Sequence, residues 1–353
     1  MTKKVRVLVV DDSAIVRGIL SKGLELDPDI EVVGSASDPY FARDKIMKLR
    51  PDVLTLDVEM PKMDGVEFLR RLMPQYPLPT VMVSSLTERG KEITLQALEA
   101  GAVDFVTKPT TDIARGLNGM LDELRSKVKI ASRANVSSWK NKQYKAPAKT
   151  LSTRHSALAE STDKVIAIGA STGGTEAIRQ ILTQLPANVP GGVIVQHMPA
   201  GFTSIFAKSL NQQCAITVKE AETGDRVMQG RFLIAPGSFH MTVKRSGGIY
   251  EVECNKNEKV CGHRPSVEIL FQSVAKYVGK NAIGVILTGM GNDGADGLVS
   301  MREAGALTIA QDEATSVVFG MPKVAFERGG TDKLVPLHKV VSEVMSMLSE
   351  KNQ

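Results

Sequence analysis

The chain has 353 residues, 42% of them hydrophobic and 24% charged, the proportions of a globular protein with length for two cores. No run approaches the ~20 apolar residues that span a bilayer, and Met1-Thr-Lys-Lys-Val-Arg-Val leads straight into an apolar strand, without the shape of a signal peptide. The net charge of +5 would suit nucleic acid, but eight Lys and Arg and no acidic residue fall between Lys127 and Ser156, which leaves the rest of the chain near −3; the basic excess lies in a connecting segment, not on a groove-reading face, and no helix-turn-helix follows.

Along residues 5–125, short apolar runs alternate with amphipathic stretches. Val5–Val10, Ile30–Ser35, Val53–Asp57, Thr80–Ser84 and Asp104–Thr107 read as strands, with helical patterns between them and after the last. Five βα units predict a parallel sheet with helices on both faces and ligands at the carboxyl ends of its strands. Residues 126–163 are rich in Lys, Ser, Asn and Ala and nearly aperiodic, which reads as a basic flexible linker with room at its start for the tail of the last helix. Trp139, within it, is expected to be solvated or loosely packed. Over residues 164–353 an α/β pattern resumes. Val165–Gly169 and Val193–Gln196 read as strands flanking a helix striped by Ile178, Ile181, Leu182 and Leu185. Gly247-Gly248 marks a β-hairpin. Ile283–Thr288 is a further buried strand, followed by a Gly-rich turn and a helix from about Ala295; Val341–Leu348 is a closing amphipathic helix. The three cysteines, Cys214, Cys254 and Cys261, are an odd count without close pairing, as expected of free thiols in a reducing cytoplasm. Cys254, Cys261 and His263 lack zinc-type spacing and a fourth ligand.

Two strand-end residues stand out as nucleophiles. Asp11 and Asp12 end the first strand and Asp57 the third, so neighbouring strands would gather three carboxylates at one edge. Such a cluster repels itself unless a hard cation binds, and Mg²⁺ suits it, with its preference for oxygen and for phosphate. Ser84 and Lys108, at the ends of the fourth and fifth strands, add a hydroxyl and a point charge for phosphoryl oxygens. The blander reading, in which Asp11 and Asp12 only cap the next helix, leaves five matched strand ends unexplained.

The second nucleophile is Ser171. Gly169-Ala-Ser171-Thr-Gly173 fits G-x-S-x-G between a strand and a helix, although Gly173-Gly174 at a helix start could equally hold phosphate. His197 directly follows a strand, and Asp293 lies in Thr288-Gly-Met-Gly-Asn-Asp293-Gly beyond another; all three would meet at one sheet edge. The order Ser, His, Asp differs from the Ser, Asp, His of α/β-hydrolases. By spacing alone His240 and His263 rival His197 as base, and Asp296 rivals Asp293. His155 lies in the linker and His338 opens the last helix. Asn292–Gly297 has no closing Glu for a Ca²⁺ loop.

The motifs on these strands resemble known families. Val-Val-Asp11-Asp12-Ser, Leu-Asp57-Val-Glu-Met-Pro-Lys-Met-Asp-Gly65, Ser84-Ser85 and Phe105-Val-Thr-Lys108-Pro109 resemble a response-regulator receiver domain over its whole length. That resemblance implies a flavodoxin-like (βα)5 fold over 1–125. It implies phosphorylation of Asp57 by a chemotaxis histidine kinase, and Mg²⁺ held by Asp12, Asp57 and the Glu59 backbone carbonyl, with Asp11 reaching it through water. Phe105 stands at the family's switch aromatic. Ile168-Gly-Ala-Ser171-Thr-Gly-Gly-Thr-Glu176, Gln196-His197-Met-Pro, Ile234-Ala-Pro-Gly237, His263-Arg-Pro-Ser266, Leu287-Thr-Gly-Met290-Gly-Asn-Asp293-Gly and Gly320-Met-Pro resemble the chemotaxis receptor methylesterases of the CheB family. The resemblance implies a Rossmann-like α/β domain over 164–353 with a mostly parallel sheet and a hairpin. It makes Ser171 the nucleophile, His197 the base, Asp293 its orienter and the Met290 amide an oxyanion donor, with no cofactor in this domain. The implied activity is demethylation of γ-glutamyl methyl esters, and deamidation of glutamines, on methyl-accepting chemoreceptors, by a cytoplasmic enzyme switched on by phosphorylation. No nucleic acid or membrane insertion is expected, and a monomer is.

Overall fold

The computed structural model describes residues 3–109, 113–140 and 163–349, which fall in two compact units, Met1–Lys145 and Ala146–Gln353. In the first, β1 (Val5–Val10), β2 (Ile30–Ala36), β3 (Val53–Asp57), β4 (Thr80–Ser84) and β5 (Asp104–Thr107) alternate with α1 (Ala14–Glu25), α2 (Pro39–Leu49), α3 (Gly65–Gln75), α4 (Glu88–Glu99) and α5 (Ile113–Ala131). The sheet order is β2-β1-β3-β4-β5, and every pairing is parallel. That is the flavodoxin-like order, whose switch point puts the ends of β1 and β3 side by side. β3 and β4 are buried throughout, which is why they read as unbroken apolar runs. Ser13, Asp38, Asp64 and Thr87 each accept an amide at a helix start, so the N-termini follow the capping chemistry in the sequence. Ser13 is the cap of α1, and Asp11 Oδ1 accepts the Ser13 amide at 2.9 Å, which leaves Asp11 Oδ2 to Lys108.

The folded unit continues beyond residue 125. Helix α5 runs to Ala131, and a 3₁₀ turn at Ser137–Trp139 follows. Trp139 is only 5% exposed, contrary to the solvated side chain expected there. Its indole lies over Gly101, where a Cβ would come within 2.9 Å of the ring, and Met73 lines the same spot. Gly101, at φ 108°, supplies both the turn after α4 and the space. The basic residues of 141–162, with His155, lie outside the described residues.

In the second unit, β6 (Val165–Ala170), α6 (Gly174–Leu182), β7 (Gly191–Gln196), α7 (Phe202–Gln213), β8 (Thr217–Glu220), β9 (Arg226–Val227), β10 (Arg231–Ile234), β11 (His240–Ser246) and β12 (Ile249–Asn255) are followed by α8 (Val267–Tyr277), β13 (Ala282–Ile286), α9 (Ala295–Glu303), β14 (Leu307–Gln311), α10 (Met321–Glu327), β15 (Leu334–Val335) and α11 (Leu337–Ser349). Seven strands form a parallel sheet ordered β15-β14-β13-β6-β7-β10-β8. The Gly247-Gly248 hairpin is present: Ser246 pairs with Ile249 across the two glycines, and β9 adds a third antiparallel strand. The strand expected to reach Thr288 stops at Ile286, because the Thr288 amide leaves the ladder to donate to Gln311 Oε1 at 2.8 Å. Helix α11 starts at Leu337, earlier than the apolar stripe alone suggests. All three cysteines are free, and burial raises the Cys214 thiol to about 11.

Candidate active site

At the carboxyl edge of the first sheet, Asp11, Asp12 and Asp57 bring carboxylate oxygens within 4.8 Å of one another. Lys108 Nζ lies 2.9 Å from Asp11 Oδ2 and 3.0 Å from Asp57 Oδ2. Burial raises the Asp57 carboxyl to about 6, against the Lys108 charge that lowers it, with neighbouring Asp11 adding to the rise. Burial disfavours the Lys108 ammonium, but the two carboxylates raise its pKa overall. An oxygen-only cluster that one ammonium leaves under-compensated fits a hard divalent cation, Mg²⁺ being the natural one. Ser84 is fully buried, and its hydroxyl is turned into α4, bonded to the Gly90 carbonyl at 3.2 Å and to Thr94 at 2.5 Å. Phe105 is buried, with Lys127 Nζ 5.2 Å from its ring centroid. Lys127 also bonds Asp104 at 3.0 Å and Glu123 at 2.8 Å, tying α5 to β5 behind that ring. No motif pointed to Lys127; only its spacing of four from Glu123 hints at it.

At the carboxyl edge of the second sheet, β6 delivers Ser171, β7 delivers His197 and the loop after β13 delivers Asp293. The strands are neighbours in the order β13-β6-β7. Ser171 Oγ lies 3.1 Å from His197 Nδ1, and His197 Nε2 lies 2.7 Å from Asp293 Oδ2. A carboxylate only accepts, so Nε2 carries the proton and the Nδ1 lone pair faces Ser171. Asp293 is 1% exposed and is held at the start of α8. Its Oδ1 accepts from Ser266 Oγ at 2.7 Å and the Glu268 amide at 3.0 Å; its Oδ2 accepts from the Val267 amide at 2.8 Å. Burial pushes this carboxyl up, but the bonds from His197, Ser266 and Glu268 outweigh it and leave the pKa below the ordinary value.

Glycines make these approaches feasible. A Cβ on Gly169 would meet Val267 Cγ1 at 2.2 Å, and one on Gly289 would meet Ser171 Cβ at 2.7 Å. Gly173 turns the chain into α6 at φ 79°. The Met290 side chain is 45% exposed, and among the described residues no acceptor takes the Met290 amide, which therefore remains available to an oxyanion.

The rivals are separated by geometry. His240 is 1% exposed and engaged by the Glu258 carbonyl at 2.8 Å. Asp296, in the first turn of α9, pairs with Arg328 at 2.6 Å on the exposed face. His263 stacks on His197, with ring centroids 3.8 Å apart and planes at 12°; it buttresses the imidazole, while the hydrogen bond to Ser171 belongs to His197. Ser266 closed the motif His263-Arg-Pro-Ser266 without a role of its own; in the structure it caps α8 as well as holding Asp293. Gln196, whose amide nitrogen bonds the carbonyls of Ser171 at 2.9 Å and His197 at 3.2 Å, opened a family motif, but nothing in the sequence gave its side chain a role.

A serine, an imidazole and a buried carboxylate thus stand in line at the sheet edge of an α/β domain, in a chain whose first unit is of the receiver type. The sequence matches the CheB methylesterase family over residues 166–344 and the response regulator receiver domain over 7–115. It is 68% identical over 351 residues to the "Protein-glutamate methylesterase/protein-glutamine glutaminase" of Syntrophotalea carbinolica, covering 99% of both chains, and 51% identical over 350 residues to that of Sulfurimonas denitrificans, covering 98% and 99%. The crystal structure of the Thermotoga maritima CheB methylesterase catalytic domain superposes with a TM-score of 0.51 at 40% identity, covering 52% of this chain and 98% of that one. The chain belongs to the CheB methylesterase family.

Proposed function

We propose that Ser171 is the nucleophile of a protein-glutamate methylesterase and protein-glutamine glutaminase, that His197 is its general base and that Asp293 orients the base. The observation that carries this reading is the Ser171–His197–Asp293 line, at 3.1 and 2.7 Å. His197 Nδ1 removes the Ser171 hydroxyl proton as Oγ attacks the carbonyl carbon of a γ-glutamyl methyl ester. The Met290 amide takes the developing oxyanion. The C–O bond to methoxide breaks, and the Nδ1 proton passes to it to release methanol. His197 then deprotonates a water that attacks the acyl-enzyme, the proton returns to Ser171 as the C–O bond to Oγ breaks, and the released glutamic acid loses its own proton to solvent. A glutamine side chain enters the same sequence, with ammonia as the leaving group. The substrate class is the cytoplasmic helices of methyl-accepting chemoreceptors, and the enzyme works as a cytoplasmic monomer.

Asp57 is the acceptor of phosphate from a chemotaxis histidine kinase. Asp11, Asp12, Asp57 and the Glu59 backbone carbonyl would hold Mg²⁺, which would neutralise charge on the phosphoryl oxygens. Lys108 already pairs with Asp57 Oδ2, the atom that would carry the phosphoryl group or lie beside it, and Ser84 must exchange its Gly90 and Thr94 bonds for one to a phosphoryl oxygen, drawing on the start of α4. Phosphorylation thereby relieves a restraint that the receiver domain imposes on hydrolysis.

Methanol release from methylated receptor, with and without a small phosphodonor, tests the reading. Ser171→Ala should abolish release, and Asp57→Ala should abolish the response to phosphodonor. Because α5 and Trp139 belong to the first unit, removal of residues 1–140 should raise the basal rate. Wild-type release by Ser171→Ala would defeat the hydrolase assignment, and a truncated enzyme no faster than the intact unphosphorylated one would defeat the restraint.

A further inference from the structure

The ladder between β6 and β7 ends at the bond from the His197 amide to the Ala170 carbonyl, 3.1 Å. Beyond it the strands part: Ser171 turns into α6, and His197 leads away into Met198-Pro199. Besides the Ser171–His197 contact itself, the Gln196 side chain spans the gap. Gln196, the last residue of β7 and the partner of Ala170 in the register, is 4% exposed. Its Nε2 donates to the Ser171 carbonyl at 2.9 Å and to the His197 carbonyl at 3.2 Å. The Ser171 carbonyl also accepts the Gly174 amide at 2.7 Å, so the nucleophile's turn is held from both sides.

The other end of the same amide is a cost. Gln196 Oε1 is buried and has no hydrogen-bond partner among the described residues. It faces Gly174, where a Cβ would come to 2.2 Å. A methionine would fill this space without a stranded oxygen of its own, though it would give up the bond to the His197 carbonyl. An amide kept at that cost, at the point where the two catalytic loops diverge, is explained by what its two N–H groups hold.

Resting on the reading of Ser171 and His197 as the reacting pair, we propose that Gln196 is a positioning residue that sets the separation of Ser171 Oγ and His197 Nδ1 by clamping both backbones. It acts through Ser171 and His197 and does not touch the substrate. Misplacement of reacting groups by about 1 Å costs ~10²-fold in rate, and a single 3.1 Å contact joins this pair.

The test uses full-length protein activated by phosphodonor, with methanol release from methylated receptor as the readout. Gln196→Met should lower kcat by ~10- to 100-fold, leave KM within twofold, and change Tm little, since removal of the stranded oxygen offsets the lost bond to the His197 carbonyl. Phosphonylation of Ser171 by a small serine-directed phosphonate should slow in parallel, because that reaction needs the Ser171–His197 pair but no receptor docking. Gln196→Glu keeps the shape but, when ionised, offers only acceptors to two carbonyls; it should lose at least as much kcat and serves where the methionine variant does not fold. A folded Gln196→Met or Gln196→Glu with wild-type kcat and wild-type phosphonylation overturns the inference, as does a loss confined to KM. If Ser171→Ala still releases methanol, the hydrolase reading fails first and this one falls with it; loss of activity in Ser171→Ala beside full activity in both Gln196 variants sinks this inference alone.

Discussion

Asp293→Asn isolates one charge at nearly constant shape. The carboxylate accepts four bonds: from His197 Nε2 at 2.7 Å, Ser266 Oγ at 2.7 Å, the Val267 amide at 2.8 Å and the Glu268 amide at 3.0 Å. An asparagine offers one acceptor oxygen, so its NH₂ must face one of the two helix amides, donor against donor. With its oxygen toward His197, it keeps the tautomer but abandons the Glu268 amide and the charge that balances an imidazolium. Removing one partner of a buried ion pair costs ~3 kcal/mol, about 10² in rate. With its NH₂ toward His197, the proton moves to Nδ1, which then donates toward Ser171 and cannot act as base. That tautomer error costs about 10⁴ in kcat when the same exchange is made in a Ser-His-Asp protease. The variant should therefore lose between ~10² and ~10⁴ in kcat, and about 1–3 kcal/mol of stability for the orphaned amide. Methanol release at saturating methylated receptor measures the first, and urea denaturation the second. A kcat within tenfold of wild type would refute the assignment of Asp293 as the orienting group.

The same carboxylate gives a pH prediction. Its pKa in the folded protein lies below the ordinary 3.8, so its stabilising contribution is complete above that value and is lost as pH falls through the folded one. The stability gap between wild type and Asp293→Asn should be constant from pH 7 to about pH 5 and shrink below about pH 4; a gap unchanged at pH 3 contradicts it. Gly169→Ala forces a Cβ to within 2.2 Å of Val267 Cγ1. Overpacking there should cost about 1–3 kcal/mol, or roughly 2–12 °C in the Tm of a domain of this size. It should also lower kcat, since the Val267 amide holds Asp293; an unchanged Tm counts against the packing argument. Trp139 is the chain's only tryptophan, so native emission should be blue-shifted and its red shift should report unfolding of the first unit. Trp139→Ala should destabilise that unit by ~3–5 kcal/mol, and emission already at the solvent wavelength in the native protein would place the indole in water.

Asp57 and Ser171 were legible because each closes a buried parallel strand, where an unbroken apolar run followed by a polar residue is conspicuous. His197 was legible for the same reason, since β7 is buried along its whole length. The choice between Asp293 and Asp296 was not legible from spacing, because both follow β13 in one Gly-rich stretch; it rested on the family resemblance, and the folded chain shows that Asp293 is the one that meets α8. The side chains that hold the site were harder still. Ser266 reads as an ordinary helix cap, and the bond that caps α8 says nothing of the second bond, to a carboxylate 27 residues away. Trp139 was misjudged because composition around it is basic and aperiodic, and its partners are Gly101 and Met73, far along the chain. The pattern of a sequence reports the faces that elements bury; it does not report contacts made across the open end of a sheet, where each loop follows its own path. There the register decides. Gln196 pairs with Ala170, and a shift of one residue would turn its amide to the opposite face of the sheet, away from the Ser171 carbonyl. The contact between Ser171 and His197 thus sits at the end of the same β6–β7 pairing that closes the core beneath it, and a change that loosens that register should separate the two side chains before it unfolds the sheet.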